Sequence, residues 1–255
     1  MISWPGELSR GAVLAFAPVV LVQGLRVRRT TPRLPEAAHR TGRLGEVGED
    51  ALTVVLVGDS VAAGVGIEDH EHTVAGRLAT ILHARTGRSV AWSVLARSGA
   101  DAAAVADLLG DGAGVRGADL VVVSVGVNDV KDLRSDDDWR VGLRRLLQVV
   151  TAAAPGALVA MVGLPPVERF PALPWPLSAL LGARARRLDR IGREVAATVA
   201  AVVRLEVGVE EIGDVGAAFA DDGFHPGPAL HAALAQRAAD VFAPDQADTA
   251  LRRGG

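Results

Sequence analysis

A three-layer α/β/α sandwich around a five-stranded parallel sheet, flavodoxin-like in kind, is the fold class that the 255-residue sequence predicts. Three observations predict it. After Asp50 a short β-branched apolar run gives way to a longer amphipathic stretch, and this alternation repeats almost to the chain end. Each run is nearly continuously apolar, as expected for strands covered by helices on both faces. Residues that carry chemistry stand directly after the first three runs, where the carboxyl ends of parallel strands build active sites.

The expected strands are residues 52–57, 90–95, 120–125, 158–162 and 202–207. Helices are expected near 73–85, 102–109, 138–153, 183–201 and 228–242, where apolar positions recur with helical spacing. Ser135 followed by Asp136, Asp137 and Asp138 reads as the cap and acidic first turn of the third of these. Between residues 164 and 182, five prolines with Phe170, Trp175 and several leucines predict an irregular apolar segment beside the active-site edge, either a wall or lid for an acyl chain or a rigid connection.

A chain of this length can bury one core without staples. Cysteine is absent, which removes disulfides, thiolate metal sites and cysteine nucleophiles together. The formal charge of -3 gives no general basic field for nucleic acid. Lys131 is the only lysine in a chain dominated by Ala, Gly and Val, a bias that reads as a GC-rich bacterial genome.

Residues 1–45 differ from the rest, with seven arginines against Glu7 and Glu36. The apolar stretch 11–25, broken by Pro18 and Gln23, reaches only about 22 Å as a helix, short of the ~30 Å of a hydrocarbon core. Arg26, Arg28 and Arg29 follow it directly, a pattern for peripheral membrane contact through residues 11–29 or for a helix docked on the protein's own surface. A leader peptide fits less well, because Glu7 precedes the stretch and Val22-Gln23-Gly24 is a weak cleavage site. A cytoplasmic or membrane-associated place is therefore expected ahead of secretion. Residues 31–50, rich in Pro, Gly and charge, read as a surface linker. The expected division is an N-terminal segment and linker over 1–50, one domain over 51–243 and a tail over 244–255.

The chemistry gathers in four short blocks: Gly58-Asp59-Ser60, Arg97-Ser98-Gly99, Gly126-Val127-Asn128-Asp129 and Asp222-Gly223-Phe224-His225-Pro226. A serine hydroxyl needs a base, a group that orients the base, and donors aimed at the developing oxyanion. Ser60 supplies a nucleophile, His225 a general base, and Asp222, three residues away, a carboxylate to fix the imidazole tautomer. The N–H groups of Ser60 and Gly99 and the side-chain amide of Asn128 are the natural oxyanion donors. His70 and His72, two residues apart, do not face each other on a helix and suggest no metal site. Gly112 to Gly117 fits a dinucleotide fingerprint in letters only, since it precedes a strand instead of following one.

These blocks, in this order over residues 52–242, resemble the SGNH hydrolases, the GDSL-type esterases and lipases. Val61 stands where the common signature has Leu, and the second block lacks the usual Asn. The resemblance implies ester hydrolysis without cofactor or metal, with Ser60, Gly99, Asn128 and His225 in the family's four named roles. The expected function is a carboxylic-ester hydrolase acting on small or lipid-like acyl esters, or thioesters, through an acyl-enzyme on Ser60. The alternatives are an acyltransferase using the same intermediate and a non-catalytic lipid-binding relative. A phosphoacceptor domain built on Asp59 and Asp129 would want a lysine after the fifth strand, where this chain has none.

Overall fold

Period-two sorting of apolar residues builds the centre of the molecule. In the computed structural model, which describes residues 10–46, 48, 50–206 and 217–242, Val54 and Leu56 face one layer of core while Val55 and Val57 face the other. Both sets lie on one strand, β2 (Leu52–Gly58). Successive side chains of a strand point to opposite faces, so an unbroken apolar run serves two cores at once. The other strands are β3 (Val90–Ala96), β4 (Leu120–Ser124), β5 (Leu158–Val162) and β6 (Val202–Leu205), all parallel to their neighbours. The expected strand 202–207 thus stops at Leu205, and residue 207 lies outside the described residues.

The sheet has six strands, not five. Thr41–Leu44, expected within a linker, forms β1 and pairs antiparallel with β3 at the sheet edge, giving the order β1-β3-β2-β4-β5-β6. Its sequence Thr-Gly-Arg-Leu carries no apolar alternation because an edge strand needs little burial and benefits from charge. Gly42 is required here: a Cβ would come within 2.3 Å of the Trp92 ring that crosses the strand. Among the five parallel strands, β2 lies between β3 and β4, so the chain's winding reverses there and leaves a crevice at the carboxyl ends.

Helices α2 (Val74–Thr86) and α7 (Pro228–Val241) cover one face through Leu78, Leu82 and Leu234. The other face is covered by α3 (Ala102–Leu109), α5 (Asp136–Ala153) and α6 (Leu177–Ala196), with Leu143, Leu146, Leu188 and Trp139 at its centre. Each such side chain contributes roughly 1.5–3 kcal/mol on burial. Trp139 is fully buried, and its indole N–H donates to the Leu188 carbonyl at 2.8 Å. Ser135 and Asp138 form a reciprocal capping box, which starts α5 two residues before the expected position. Helix α6 begins six residues before the expected boundary, because every proline of the 164–182 segment precedes Leu177 and none interrupts the turns that follow. The short α4 (Val127–Lys131) follows β4. The expected tail 244–255 lies outside the described residues.

The N-terminal helix α1 (Arg10–Thr30) is longer than the apolar stretch that predicts it and spans about 31 Å. Val20 and Val27 pack on the core, and Gln23 donates to the Trp175 carbonyl at 2.7 Å and accepts from the Leu177 amide at 3.1 Å. Among the described residues no helix is long and apolar enough to cross a membrane. The following segment wraps the sheet's carboxyl edge: Pro35 accepts from the Gly66 amide at 2.9 Å, and Ala37 donates to Ala63 at 3.1 Å.

Candidate active site

Ser60 sits in the turn that leaves β2, at the carboxyl-end crevice. The strand end is pinned from both sides, with the Asp59 amide on the Ser124 carbonyl at 3.0 Å and the Arg97 amide on the Gly58 carbonyl at 3.1 Å. Gly58 makes that approach possible, since a Cβ would lie 2.1 Å from the Ser124 oxygen. The Asp59 carboxylate caps the Val61 amide at 3.1 Å, so the turn is held by its own side chain. Ser60 is 9% exposed.

Across the crevice, Asp222 and His225 come together in the loop before α7. The His225 Nδ1 and Asp222 Oδ2 are 2.6 Å apart, while Oδ1 accepts from the amides of Phe224 and His225, each at 2.9 Å. Burial works to raise the Asp222 pKa, but these hydrogen bonds outweigh it and hold the carboxyl below its ordinary range. The loop is braced by the Ala220 amide on the His225 carbonyl at 2.8 Å and by the Ala172 amide on the Gly223 carbonyl at 3.0 Å. Phe170 stacks edge-on against Phe224 and Phe219. Phe170 and Leu173 are buried in the core, so this part of the proline-rich segment packs as a wall behind the Phe224–His225 pair.

The Ser60 and His225 loops touch where Gly66 passes Ala220, whose Cβ lies 3.0 Å from the position a Gly66 Cβ would take. Among the described residues no hydrogen bond joins the Ser60 hydroxyl to the His225 ring. Catalytic hydrogen bonds are commonly longer before substrate binds and tighten in the complex.

Residues Arg97 to Ala100 form a hydrogen-bonded turn, with the Ala100 amide on the Arg97 carbonyl at 3.1 Å and Gly99 at φ +79°. A Cβ on Gly99 would meet nothing within 4 Å, so glycine is required by the backbone angle and not by crowding. Asn128, buried at the start of α4, donates its side-chain amide to the Ala100 carbonyl at 2.9 Å. A side-chain amide carries two N–H bonds, so one remains for a ligand. Asn128 and Gly99 are therefore brought together through Ala100.

Three acidic residues around the crevice have structural parts that the sequence does not announce. Asp59 and Asp129 are almost wholly buried, and burial pushes each carboxyl up to about 7. The Asp129 charge adds to the rise at Asp59, while the Ala102 amide, 3.1 Å from Asp129 Oδ2, works the other way at Asp129. The only sequence signal for them was an acid directly flanking both Ser60 and Asn128. Glu36, from the wrapped N-terminal segment, accepts from the Ser98 amide at 3.1 Å, and nothing local could reveal a contact 62 residues away. His70 is buried beside Trp92 with its Nδ1 on the Thr73 hydroxyl.

Residues 56–233 match the model of the GDSL-like lipase/acylhydrolase family. The chain belongs to that family. Solved structures agree with this GDSL-like hydrolase in fold. A lipase, Lip_vut3, from a goat rumen metagenome is 16% identical with a TM-score of 0.61, covering 73% of this chain and 95% of its own. A lipase/acylhydrolase from Enterococcus faecalis is 19% identical with a TM-score of 0.57, over 79% and 96% of the two chains. TesA is 25% identical with a TM-score of 0.54, over 72% and 94%. No curated protein matches the sequence. As a GDSL-like hydrolase the protein is a carboxylic-ester hydrolase whose substrates are small-molecule esters.

Proposed function

We propose that this hydrolase cleaves acyl esters through an acyl-enzyme on Ser60, with Asp222 and His225 completing a triad. The observation that carries the reading is the Asp222–His225 pair at 2.6 Å, in a loop that touches the one holding Ser60. Asp222, ionised and hydrogen-bonded to Nδ1–H, leaves Nε2 as the basic nitrogen. The Ser60 oxygen attacks the substrate carbonyl carbon as its proton passes to Nε2. The oxyanion is met by the N–H groups of Ser60 and Gly99 and by the second amide N–H of Asn128. Collapse returns the proton to the departing alkoxide, and water repeats the sequence on the acyl-enzyme. A thioester can enter by the same attack, with a thiol leaving.

A fluorophosphonate probe tests the nucleophile, and p-nitrophenyl esters from acetate to palmitate, with acyl thioesters beside them, test the substrate. Ser60→Ala is expected to abolish labelling and to lower kcat/KM by about 10³-fold or more with the melting temperature nearly unchanged. Activity near that of the unaltered chain in this variant would remove Ser60 from the reaction.

The contact surface of α1 supports a lipid membrane as the place where substrate is met. Leu21, Val22 and Leu25 are 65%, 65% and 48% exposed on the side away from the core, and Trp175 is 55% exposed beside them. Arg26, Arg28, Arg29 and Arg33 form no ion pair among the described residues, and three of them line an open recess with Leu25. Apolar side chains beside unneutralised arginines complement an anionic bilayer surface. Co-sedimentation of the full chain with vesicles of phosphatidylglycerol in phosphatidylcholine is expected, and Arg26→Gln, Arg28→Gln and Arg29→Gln together should weaken it about 100-fold. Equal binding to pure phosphatidylcholine, or a dimer broken by Leu21→Asp without vesicle binding, would overturn this assignment.

A further inference from the structure

The geometry points to Glu36 as a positioning residue for the oxyanion site, an inference that rests on the role proposed for Gly99. The turn Arg97–Ala100 has glycine at its third position, and glycine accepts either orientation of the peptide that precedes it at little cost. Flipping the Ser98–Gly99 peptide would turn the Gly99 N–H away from the crevice. The aim of that N–H must therefore be set by what holds the residues around it.

Three side chains hold them. Glu36 Oε1 accepts from the Ser98 amide at 3.1 Å. Its Oε2 pairs with Arg40, and Arg40 Nη1 in turn donates to the Ala96 carbonyl at 2.7 Å. On the far side Asn128 holds the Ala100 carbonyl at 2.9 Å. The Ser98 and Ala100 amides are both engaged, the latter on the Arg97 carbonyl, which singles out the Gly99 N–H between them as the donor left for substrate.

Glu36 is itself fixed from behind. Pro35 and Ala37 are tied to Gly66 and Ala63 of the Ser60 turn, and the Arg40 carbonyl accepts from the Val94 amide at 2.9 Å as β1 begins. The wrapped segment thus links the nucleophile turn to the oxyanion turn, and Glu36 is its reach into the latter. The second block of this chain lacks the usual Asn, and a carboxylate from outside the block anchors the turn.

The test is steady-state kinetics of Glu36→Ala and Glu36→Gln in the full chain with a soluble short-chain ester. Loss of a charge-assisted hydrogen bond felt in the transition state lowers kcat about 10- to 100-fold. Glu36→Ala is expected to show that loss with KM nearly unchanged, and to weaken a trifluoromethyl ketone analogue in step with kcat/KM. Glu36→Gln, which keeps an acceptor for the Ser98 amide, should recover most of it. Unchanged kcat in Glu36→Ala, a change confined to KM or melting temperature, or equal losses in both variants would overturn the inference. Probe labelling of Ser60 is followed in parallel. An unlabelled unaltered chain would remove the proposed function, whereas normal labelling with a fully active Glu36→Ala removes this inference alone.

Discussion

Asp222 accepts three hydrogen bonds from within three residues of itself, from the ring of His225 at 2.6 Å and from the amides of Phe224 and His225 at 2.9 Å each. The carboxylate therefore orients the imidazole and the backbone that carries it with one set of contacts. This pair needs no distant part of the chain to form, but the contact of its loop with the Ser60 loop, at Gly66 and Ala220, depends on the tertiary fold.

Replacing Asp222 by Asn keeps the size and loses the charge. The amide can also donate toward Nδ1, which would place the ring proton on Nε2 and block the base. A fall in kcat of about 10³- to 10⁴-fold is expected, measured with a soluble ester at neutral pH. A fall below tenfold would mean that His225 is oriented by something else.

Asn128→Ala removes the proposed oxyanion donor and the tie to the Ala100 carbonyl together. The expected loss in kcat is about 10²- to 10³-fold, with a smaller effect on KM. Asn128→Asp should be no better, because a carboxylate cannot donate.

The buried Asp129 carboxyl sets a pH dependence of stability. Its folded pKa is raised from 3.8 to about 7, so the folded protein binds the proton more tightly than the unfolded chain between these values. Stability from this group is present at low pH and is lost as pH rises toward about 7. Asp129→Asn is neutral at every pH and still offers an oxygen to the Ala102 amide. Its melting temperature should exceed that of the unaltered protein at pH 8 by several degrees, and the difference should shrink steadily as pH falls and vanish near pH 3.8, where the unfolded carboxyl is also protonated.

His231 works in the opposite direction. It is fully buried on α7, neither ring nitrogen has a hydrogen-bond partner among the described residues, and burial lowers its pKa from 6.5 to about 3. The unfolded chain binds the proton in that window and the folded protein refuses it, so stability falls as pH drops below 6.5. His70, lowered to about 4 chiefly by burial, adds to this effect. His231→Leu should flatten the decline in unfolding free energy between pH 6.5 and pH 4.5, by about 1.4 kcal/mol per pH unit at most. An unchanged slope would show that His231 takes up its proton in the folded state.

The five parallel strands, the helices between them and the four blocks were legible because each rests on local pattern. Apolar runs such as 120–124 have one use in a doubly covered sheet, and Asp222 reaches His225 across three residues. The family blocks were legible for the same reason, since each is a short stretch at the end of one strand.

Local pattern could not reveal β1, whose Thr-Gly-Arg-Leu gains its place only from the open edge of β3 and the ring of Trp92. Nor could it reveal Glu36 on the Ser98 amide, Gln23 on the backbone at Trp175 and Leu177, or the rise in the Asp59 and Asp129 pKa values. The amino-acid order by itself determined which segments become strands and helices and which residue types stand at the strand ends. Tertiary structure alone decided what those residues touch, because a hydrogen bond or a loss of solvent depends on distance in space. Neighbours 62 residues apart leave no periodicity in the chain to read.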